Sequence, residues 1–191
     1  MIGVLSCCMI YAVETDRLVL REILASDADA LFQLDSDPEV MRHMHSAPML
    51  NLAAAETEII AMQHQRQRDG IARWAVIERD SGEFLGISGL RIVHEHRNGH
   101  EYYHSLGYRF LWQHWGKGYA TEAATASLRH WFETLHLDAI YATTTLGNAA
   151  SRRVLEKSGM RFVNEFDYHG HLETWYAITR EEWLSYHSRS V

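Results

Sequence analysis

The sequence is poor in cysteine, in proline and in basic side chains. Its 191 residues include 2 Cys and 2 Pro, and the cysteines, Cys7 and Cys8, are adjacent. Only a strained ring could join such neighbours, so a disulfide framework is excluded and a reducing, cytoplasmic location is expected. The 18 Lys and Arg against 25 Asp and Glu give a net charge of −7 at pH 7. This charge argues against nucleic-acid binding, because phosphate contacts need an excess of basic groups.

Long apolar runs are also missing. The apolar stretch at residues 1–13 is short of the ~20 residues that cross a bilayer, and it lacks the basic head of a secretory signal. We therefore expect no membrane association, and Met9 is as plausible a start as Met1. Residues 1–14 are predicted to be a tail or an extension of the first strand. Residues 15–188 are predicted to form a single domain, because the length suits one core.

Apolar positions follow strand and helix periods in alternation. The expected strands are residues 18–23, 74–77, 84–93, 102–112, 139–143, 161–168 and 173–178. The expected helices are residues 28–34, the segment from Asn51 to Gly70, a segment from Thr121, and a segment between Asn148 and Gly159. The first strands should be antiparallel, and the strand, helix and strand spanning residues 102–143 imply one parallel crossover.

The most informative segment is residues 113–122, between a predicted strand and an amphipathic helix. Small residues recur there at Gly116, Gly118 and Ala120. They allow backbone N–H groups at the start of a helix to approach an anion closely, which predicts a pyrophosphate cradle. A glycine-rich turn without a ligand is the alternative interpretation.

Other phosphate and hydrolase motifs do not fit. A P-loop requires Gly where Leu111 stands and Ser or Thr where Gly118 stands. The dinucleotide fingerprint requires a third glycine where Thr121 stands. It also requires an acidic residue for the ribose at the carboxyl end of a strand, whereas Asp138 precedes its predicted strand. Residues 86–90 lack the last glycine of a nucleophile elbow, which argues against a serine hydrolase.

The remaining pattern resembles the acyl-CoA cradle of the GNAT superfamily of N-acetyltransferases. Its usual frame is Gln or Arg, two residues, Gly, one residue, then Gly or Ala; residues 115–120, WGKGYA, follow it with Trp115 in first place. Residues 15–21 (TDRLVLR), 148–160 (NAASRRVLEKSGM) and 176–183 (YAITREEW) are similar to the RimJ/RimL branch, the ribosomal-protein N-terminal acetyltransferases. The resemblance covers roughly residues 15–183.

The resemblance implies a mixed α/β fold of the GNAT type. The sheet should have six or seven strands, mostly antiparallel, with helices on both faces. A central parallel pair, the strand ending at Leu111 and the strand at Ile140, should splay apart and leave a cleft for acetyl-CoA. Ligands of open α/β sheets bind at the carboxyl ends of strands, where residues 113–121 lie.

The resemblance also implies roles for individual residues toward acetyl-CoA. Backbone N–H groups at Phe110, Leu111 and Trp112 would polarise the thioester carbonyl. The N–H groups of Gly116, Gly118, Ala120 and Thr121 would hold the pyrophosphate. The full set of predicted cofactor-binding residues is Phe110, Leu111, Trp112, Trp115, Gly116, Lys117, Gly118, Tyr119, Ala120, Thr121, Asn148, Ser151 and Arg152. Solvation is the alternative role for Lys117, and helix capping for Asn148.

The usual catalytic groups of the superfamily are absent. Leu155 stands where many members carry a tyrosine that protonates the thiolate, so Ser151 is the expected acid, with close packing as its alternative role. Ser105 stands where many members carry a glutamate that acts as the general base. We predict His104 and Glu173 as catalytic groups in its place, with Glu101 a further candidate and a water chain as the alternative.

The resulting hypothesis is an acetyl-CoA-dependent N-acetyltransferase with a primary-amine acceptor. A protein N-terminus is the favoured acceptor, and an amino acid, a polyamine or an aminoglycoside is the alternative. A non-catalytic acyl-CoA-binding module is the hypothesis from another class. The acidic net charge would suit a cationic acceptor. We expect a monomer or homodimer and no metal, because the paired histidines lack a third ligand.

Overall fold

A computed structural model describes residues 11–188 of the chain. The expectations about Cys7, Cys8 and a start at Met9 fall on residues outside that range. Within it, no helix is long and apolar enough to span a membrane.

The described chain alternates strands and helices. Its strands are β1 (Tyr11–Glu14), β2 (Leu18–Arg21), β3 (Arg73–Glu78), β4 (Phe84–Val93), β5 (Tyr103–Phe110), β6 (Ala139–Thr145), β7 (Arg161–Tyr168) and β8 (His171–Thr179). Its α-helices are α1 (Ala28–Ser36), α2 (Pro38–Met41), α3 (Leu52–Asp69), α4 (Tyr119–Thr134), α5 (Ala149–Lys157) and α6 (Arg180–Ser188). Short 3-10 turns, Ala25–Asp27 and Trp112–His114, follow β2 and β5.

All eight described strands join one mixed sheet in the order β1-β2-β3-β4-β5-β6-β8-β7. Every neighbouring pair is antiparallel except β5 and β6. The predicted fold class is confirmed, but the expected six or seven strands are corrected to eight. The additional strand is β1, which pairs antiparallel with β2 and so satisfies backbone groups that an open edge would expose.

The parallel pair at the centre of the sheet is splayed, as predicted. Strands β4 and β5 are in register over their whole shared length, from Gly86 opposite Phe110 to Val93 opposite Tyr103. Strands β5 and β6 share a single register pair, Ser105 opposite Tyr141. The two strands therefore separate beyond Ser105 and open a cleft toward their carboxyl ends.

Helices cover both faces of the sheet. On one face, Leu128 and Phe132 of α4 pack with Leu106 of β5 in the larger hydrophobic core. On the other face, Leu31 of α1 and Ile59 of α3 belong to a second core with strand residues. This burial removes apolar surface from water on both sides of the central strands. The ends of β4, β5 and β6 are thereby held in place around the cleft.

The predicted start and end of α3 are confirmed. Asn51 is the N-cap, and its side chain accepts a hydrogen bond from the Ala54 N–H. Gly70 ends the helix in the left-handed region at φ +69°. The helix following β5 begins at Tyr119, two residues before the expected Thr121. Helix α6 was not among the expected elements.

Gly86 lies at a position in the central sheet that leaves no room for a side chain. A Cβ atom there would lie 2.1 Å from the Arg109 carbonyl oxygen and 2.8 Å from the Phe110 Cα, both backbone atoms. We expect Gly86→Ala to lower the free energy of unfolding by about 2–3 kcal/mol, because the strands must move apart. Urea unfolding measures this. Gly147→Ala is the control, since a Cβ there meets no atom within 4 Å; equal stabilities of the two variants would contradict the prediction.

Candidate functional site

A cavity of about 340 Å³ opens where β5 and β6 separate. Its walls come from strands β3 to β6, helix α5, the β7–β8 hairpin and the loop between α2 and α3. Of the predicted site residues, Asn148, Ser151 and Glu173 line it. His104 does not belong to the lining.

The glycine-rich segment lies at the start of α4. Gly116 and Gly118 adopt left-handed φ values of +75° and +84°, which favour glycine. Gly118 is the N-cap of α4 and supplies no side-chain hydrogen bond. The first N–H groups of this 16-residue helix are thus without a capping side chain, and a Cβ at Gly116 would meet no heavy atom within 4 Å. Such an open helix start attracts anions, phosphate groups among them.

Arg17 attaches this segment to the amino-terminal part of the sheet. Its guanidinium donates to the Lys117 carbonyl oxygen at 3.0 Å and to the Glu122 carboxylate at 2.7 Å, and it lies 4.6 Å from the centre of the Tyr119 ring. Burial favours a higher pKa for Glu122, but hydrogen bonds from Thr15 and Arg17 outweigh it and lower the pKa. The carboxylate therefore stays ionised and holds the loop. This anchoring role of Arg17 was not predicted.

The end of β5 offers fewer free amides than expected. The Leu111 N–H donates to the Leu85 carbonyl oxygen at 2.9 Å and is therefore used by the sheet. Alternate residues of an antiparallel strand direct their N–H groups to opposite sides, so Phe110 faces away from β4, toward the separating β6. The Trp115 indole donates to the Phe110 carbonyl oxygen at 2.7 Å. Of the three predicted donors, Phe110 and Trp112 remain.

Asn148 and Ser151 occupy the first turn of α5. The Asn148 side chain accepts a hydrogen bond from the Ser151 N–H at 3.0 Å and so caps the helix, one of its two expected roles. Arg152 lies outside the cavity lining, and its Nε donates to the Tyr176 hydroxyl at 3.3 Å. The helix thus presents Asn148 and Ser151 to the cleft and directs Arg152 elsewhere.

Tyr108 is a cavity residue that the sequence did not reveal. Its hydroxyl lies 3.0 Å from both the Ser151 carbonyl oxygen and Ser151 Oγ. Burial raises the pKa of Tyr108, and the hydrogen bond with Ser151 only partly opposes this. Tyr108 is therefore a neutral phenol at physiological pH. Leu155, which replaces the usual tyrosine, also lines the cavity.

A carboxylate and a histidine face each other in the lining of the cavity. Glu173 is 2% exposed, and its Oε1 lies 2.6 Å from His45 Nε2. The His45 ring packs against His171, with 4.9 Å between centroids. His43, from the same loop, lies 3.1 Å from the Thr145 hydroxyl. The sequence predicted Glu173 as a catalytic group but not its contact with His45, because the paired histidines His43 and His45 suggested only metal binding.

His104 has a different environment. It pairs with Ile92 across β4 and β5, and its ring contacts Tyr102. Burial lowers its pKa, which favours the neutral imidazole. Across residues 11–188, no group of three or more His, Cys, Asp or Glu side chains is arranged to hold a metal ion.

The chain is similar in sequence to known proteins. The model of the acetyltransferase (GNAT) domain matches residues 17–161. An uncharacterized N-acetyltransferase of Bacillus subtilis (strain 168), YoaA, is 33% identical over 156 residues, which cover 80% of this chain and 84% of that protein.

Solved structures share the fold. A GNAT-family acetyltransferase from Bacillus anthracis superimposes with a TM-score of 0.75 and 25% identity, over 88% of this chain and 98% of the other. RimL, a ribosomal L7/L12 alpha-N-protein acetyltransferase in complex with coenzyme A, gives a TM-score of 0.74 over 86% of this chain and 95% of the other. Its identity of 17% shows a common fold alone.

The cap of α5 is testable without any ligand. We expect Asn148→Ala to lower the free energy of unfolding by about 1 kcal/mol, because the Ser151 N–H loses its side-chain acceptor. Asn148→Asp should retain most of the stability, since a carboxylate oxygen accepts the same bond. Urea unfolding of both variants measures the difference, and an Asn148→Ala variant as stable as the parent protein would contradict this role.

Proposed function

The chain belongs to the GNAT acetyltransferase family, and we propose that it transfers the acetyl group of acetyl-CoA to a primary amine, with the α-amine of a protein N-terminus as the favoured acceptor. One arrangement carries the proposal. The glycine-rich start of α4 and a cavity containing Ser151 and Glu173 both lie at the carboxyl ends of the separating strands β5 and β6.

The residues present suit coenzyme A. The uncapped first turn of α4 offers the N–H groups of Tyr119, Ala120 and Thr121, with Gly116 and Gly118, to a diphosphate. Lys117 is exposed and adds a positive charge beside them. The N–H groups of Phe110 and Trp112 would hold the thioester carbonyl oxygen, and the Trp115 indole keeps the Phe110 backbone in place.

Acetyl-CoA supplies an acyl group activated as a thioester. The amine must lose a proton to attack it, and Glu173 is the base that we propose, because it lies in the cavity whereas His104 does not. The contact with His45 orients one oxygen of the Glu173 carboxylate. The other oxygen is then available to take up the proton of the amine.

The departing sulfur requires a proton donor. We assign this role to Ser151, whose hydroxyl lies in the cavity at the start of α5. Tyr108 contacts the same hydroxyl at 3.0 Å and is protonated at neutral pH. Tyr108 thus positions the Ser151 hydroxyl and can return a proton to it.

The preference for a protein N-terminus as the acceptor rests on the sequence motifs that are similar to those of the RimJ/RimL branch. Small amines such as amino acids, polyamines and aminoglycosides are the alternative acceptors, and a non-catalytic acyl-CoA-binding module is the alternative outside catalysis. A thiol-release assay with acetyl-CoA and a panel of peptides and small amines separates these proposals. Turnover with at least one amine is expected. Saturable binding of coenzyme A without turnover on any amine would favour the module.

The cradle is tested by introducing a negative charge. We expect Gly118→Asp to weaken the binding of coenzyme A at least about tenfold, because a carboxylate would repel the diphosphate. Isothermal titration calorimetry with coenzyme A measures the affinity. Gly70→Asp is the matched control. Gly70 also has a left-handed φ, +69°, and a Cβ there would meet no heavy atom within 4 Å, but it lies at the end of α3 and not at the start of α4. Unchanged affinity in Gly118→Asp would refute the cradle.

The proton-transfer roles are tested on kcat. We expect Ser151→Ala and Glu173→Gln each to lower kcat about 100-fold, with less than about threefold change in the Kd for coenzyme A, because each removes a proton-transfer group without touching the cradle. Thiol release and calorimetry give the two numbers. His104→Gln distinguishes the two candidate bases: a large loss of kcat in it, together with full activity of Glu173→Gln, would show that the assignment of the base is wrong.

A further inference from the structure

The cavity carries a local charge opposite to that of the whole chain. The protein has a net charge of −7, yet four arginines line the cavity: Arg73, Arg91, Arg97 and Arg109. Two carboxylates, Glu95 and Glu173, share the same walls. The cavity therefore holds more cationic than anionic side chains.

Two of the four arginines are neutralised by ion pairs. Arg97 lies 3.1 Å from Glu95, and Arg109 lies 2.8 Å from Asp35, behind the cavity wall. Arg73 and Arg91 have no carboxylate oxygen within 4 Å anywhere in residues 11–188. These two cations outnumber Glu173, the one cavity carboxylate that is not paired with an arginine.

The arginines also leave buried donors unsatisfied. The Nε atoms of Arg73, Arg97 and Arg109 are buried without a hydrogen-bond partner, and the Arg97 side chain is only 8% exposed. A buried N–H group without a partner costs about 1–3 kcal/mol, more when it is charged. An anion in the cavity does not reach these solvent-inaccessible Nε atoms, but its charge lowers the cost of holding several buried guanidinium groups together.

The central sheet is shaped to bring these side chains together. Arg73, Gly89 and Gly107 lie opposite one another on β3, β4 and β5. A Cβ at Gly107 would lie 3.6 Å from Arg73 Nε, so the Arg73 side chain extends across the strands over a glycine. Arg91 is two residues after Gly89 on β4, and Arg109 is two residues after Gly107 on β5. Since side chains two residues apart on a strand point to the same face, Arg91 and Arg109 lie on the face of the sheet that the Arg73 side chain crosses.

The proximity of the cations is visible in their acid–base properties. Burial is the main cause that lowers the pKa of Arg73 to about 9, and the charges of Arg109 and Arg91 act in the same direction. Glu58 of α3 and Asp35 oppose the shift, but neither forms an ion pair with Arg73. Arg73 remains a cation at pH 7, in a position where an added anion is favoured.

We propose that the acceptor amine carries a carboxylate close to its amino group, and that Arg73 and Arg91 bind this carboxylate while the amine faces Glu173. The proposal rests on the acetyltransferase function proposed above. A free amino acid and a peptide with an acidic first residue share this chemistry. A polyamine does not, because it would place a second cation against the arginines.

The experiment compares acceptors that differ only in charge. L-Glutamate is compared with its diamide, and the peptide amide Glu-Ala-NH2 with Gln-Ala-NH2, by thiol release from acetyl-CoA. We expect the acid of a pair to be acetylated with a kcat/KM at least about tenfold that of its amide, because a charged hydrogen bond contributes that much. If the enzyme prefers L-glutamate to its diamide, the acceptor is a free amino acid. If it prefers Glu-Ala-NH2 to Gln-Ala-NH2, the acceptor is a peptide with an acidic first residue.

Substitutions assign the effect to the two arginines. Arg73→Gln and Arg91→Gln should each lower kcat/KM for the acid roughly 10- to 100-fold, mainly by raising KM. The same substitutions should change kcat/KM for the amide less than about threefold. Arg129→Gln is the matched control, since Arg129 is exposed on α4 outside the cavity lining. Thermal unfolding verifies that each variant folds, and the comparison of acid and amide in the parent protein needs no variant.

The outcomes separate the two proposals. Equal or better turnover of the amides, or of spermidine, would overturn the carboxylate proposal and leave acetyl transfer intact. If no amine is acetylated although coenzyme A binds, the proposed function fails, and calorimetry with N-acetyl-glutamate and its diamide still tests the arginines. Tighter binding of the acid that is lost in Arg73→Gln would support the carboxylate site, whereas equal binding or none would overturn it.

Discussion

The separation of β5 from β6 is the constraint on which the rest of the site depends. The two strands share one register pair, Ser105 with Tyr141, and then part. The N–H groups of β5 that face β6 beyond this point lose their sheet partners, and buried backbone donors need acceptors. The same opening forms the cavity and lets the start of α5 approach Tyr108 on β5. Without the splay, β5 and β6 would pair along their length and close the site.

The opening is maintained from both faces of the sheet and from the amino-terminal end of the chain. Helix α4 packs on one face, α1 and α3 on the other, and Arg17 ties the loop before α4 to β2 through Lys117 and Glu122. These contacts join parts of the chain about 100 residues apart. The loop therefore has one position relative to β5, which a site that aligns two substrates requires.

Charge in this protein is organised locally. The net charge of −7 suggested a cationic acceptor, but net charge describes the average field around a chain and not the field in one cavity. Arg73, Arg91, Arg97 and Arg109 are 36 residues apart at most in sequence and come from three strands and the turn after β4. The register of β3, β4 and β5 brings Arg73, Arg91 and Arg109 to one face, and the turn after β4 brings Arg97 to the same cavity. The composition could not have indicated a cationic cavity.

The sequence by itself determined the features that depend on neighbours along the chain: the glycines before α4, the caps at Asn51 and Asn148, the periods of strands and helices, and hence the family and the class of fold. The tertiary structure alone decided which side chains meet: the eighth strand, the Leu111 N–H used by the sheet, Tyr108 against Ser151, and Glu173 against His45, which is 128 residues away. Local features follow from backbone conformation and short-range hydrogen bonds, which a sequence pattern encodes directly. Contacts across strands follow from register and packing, which many residues fix together.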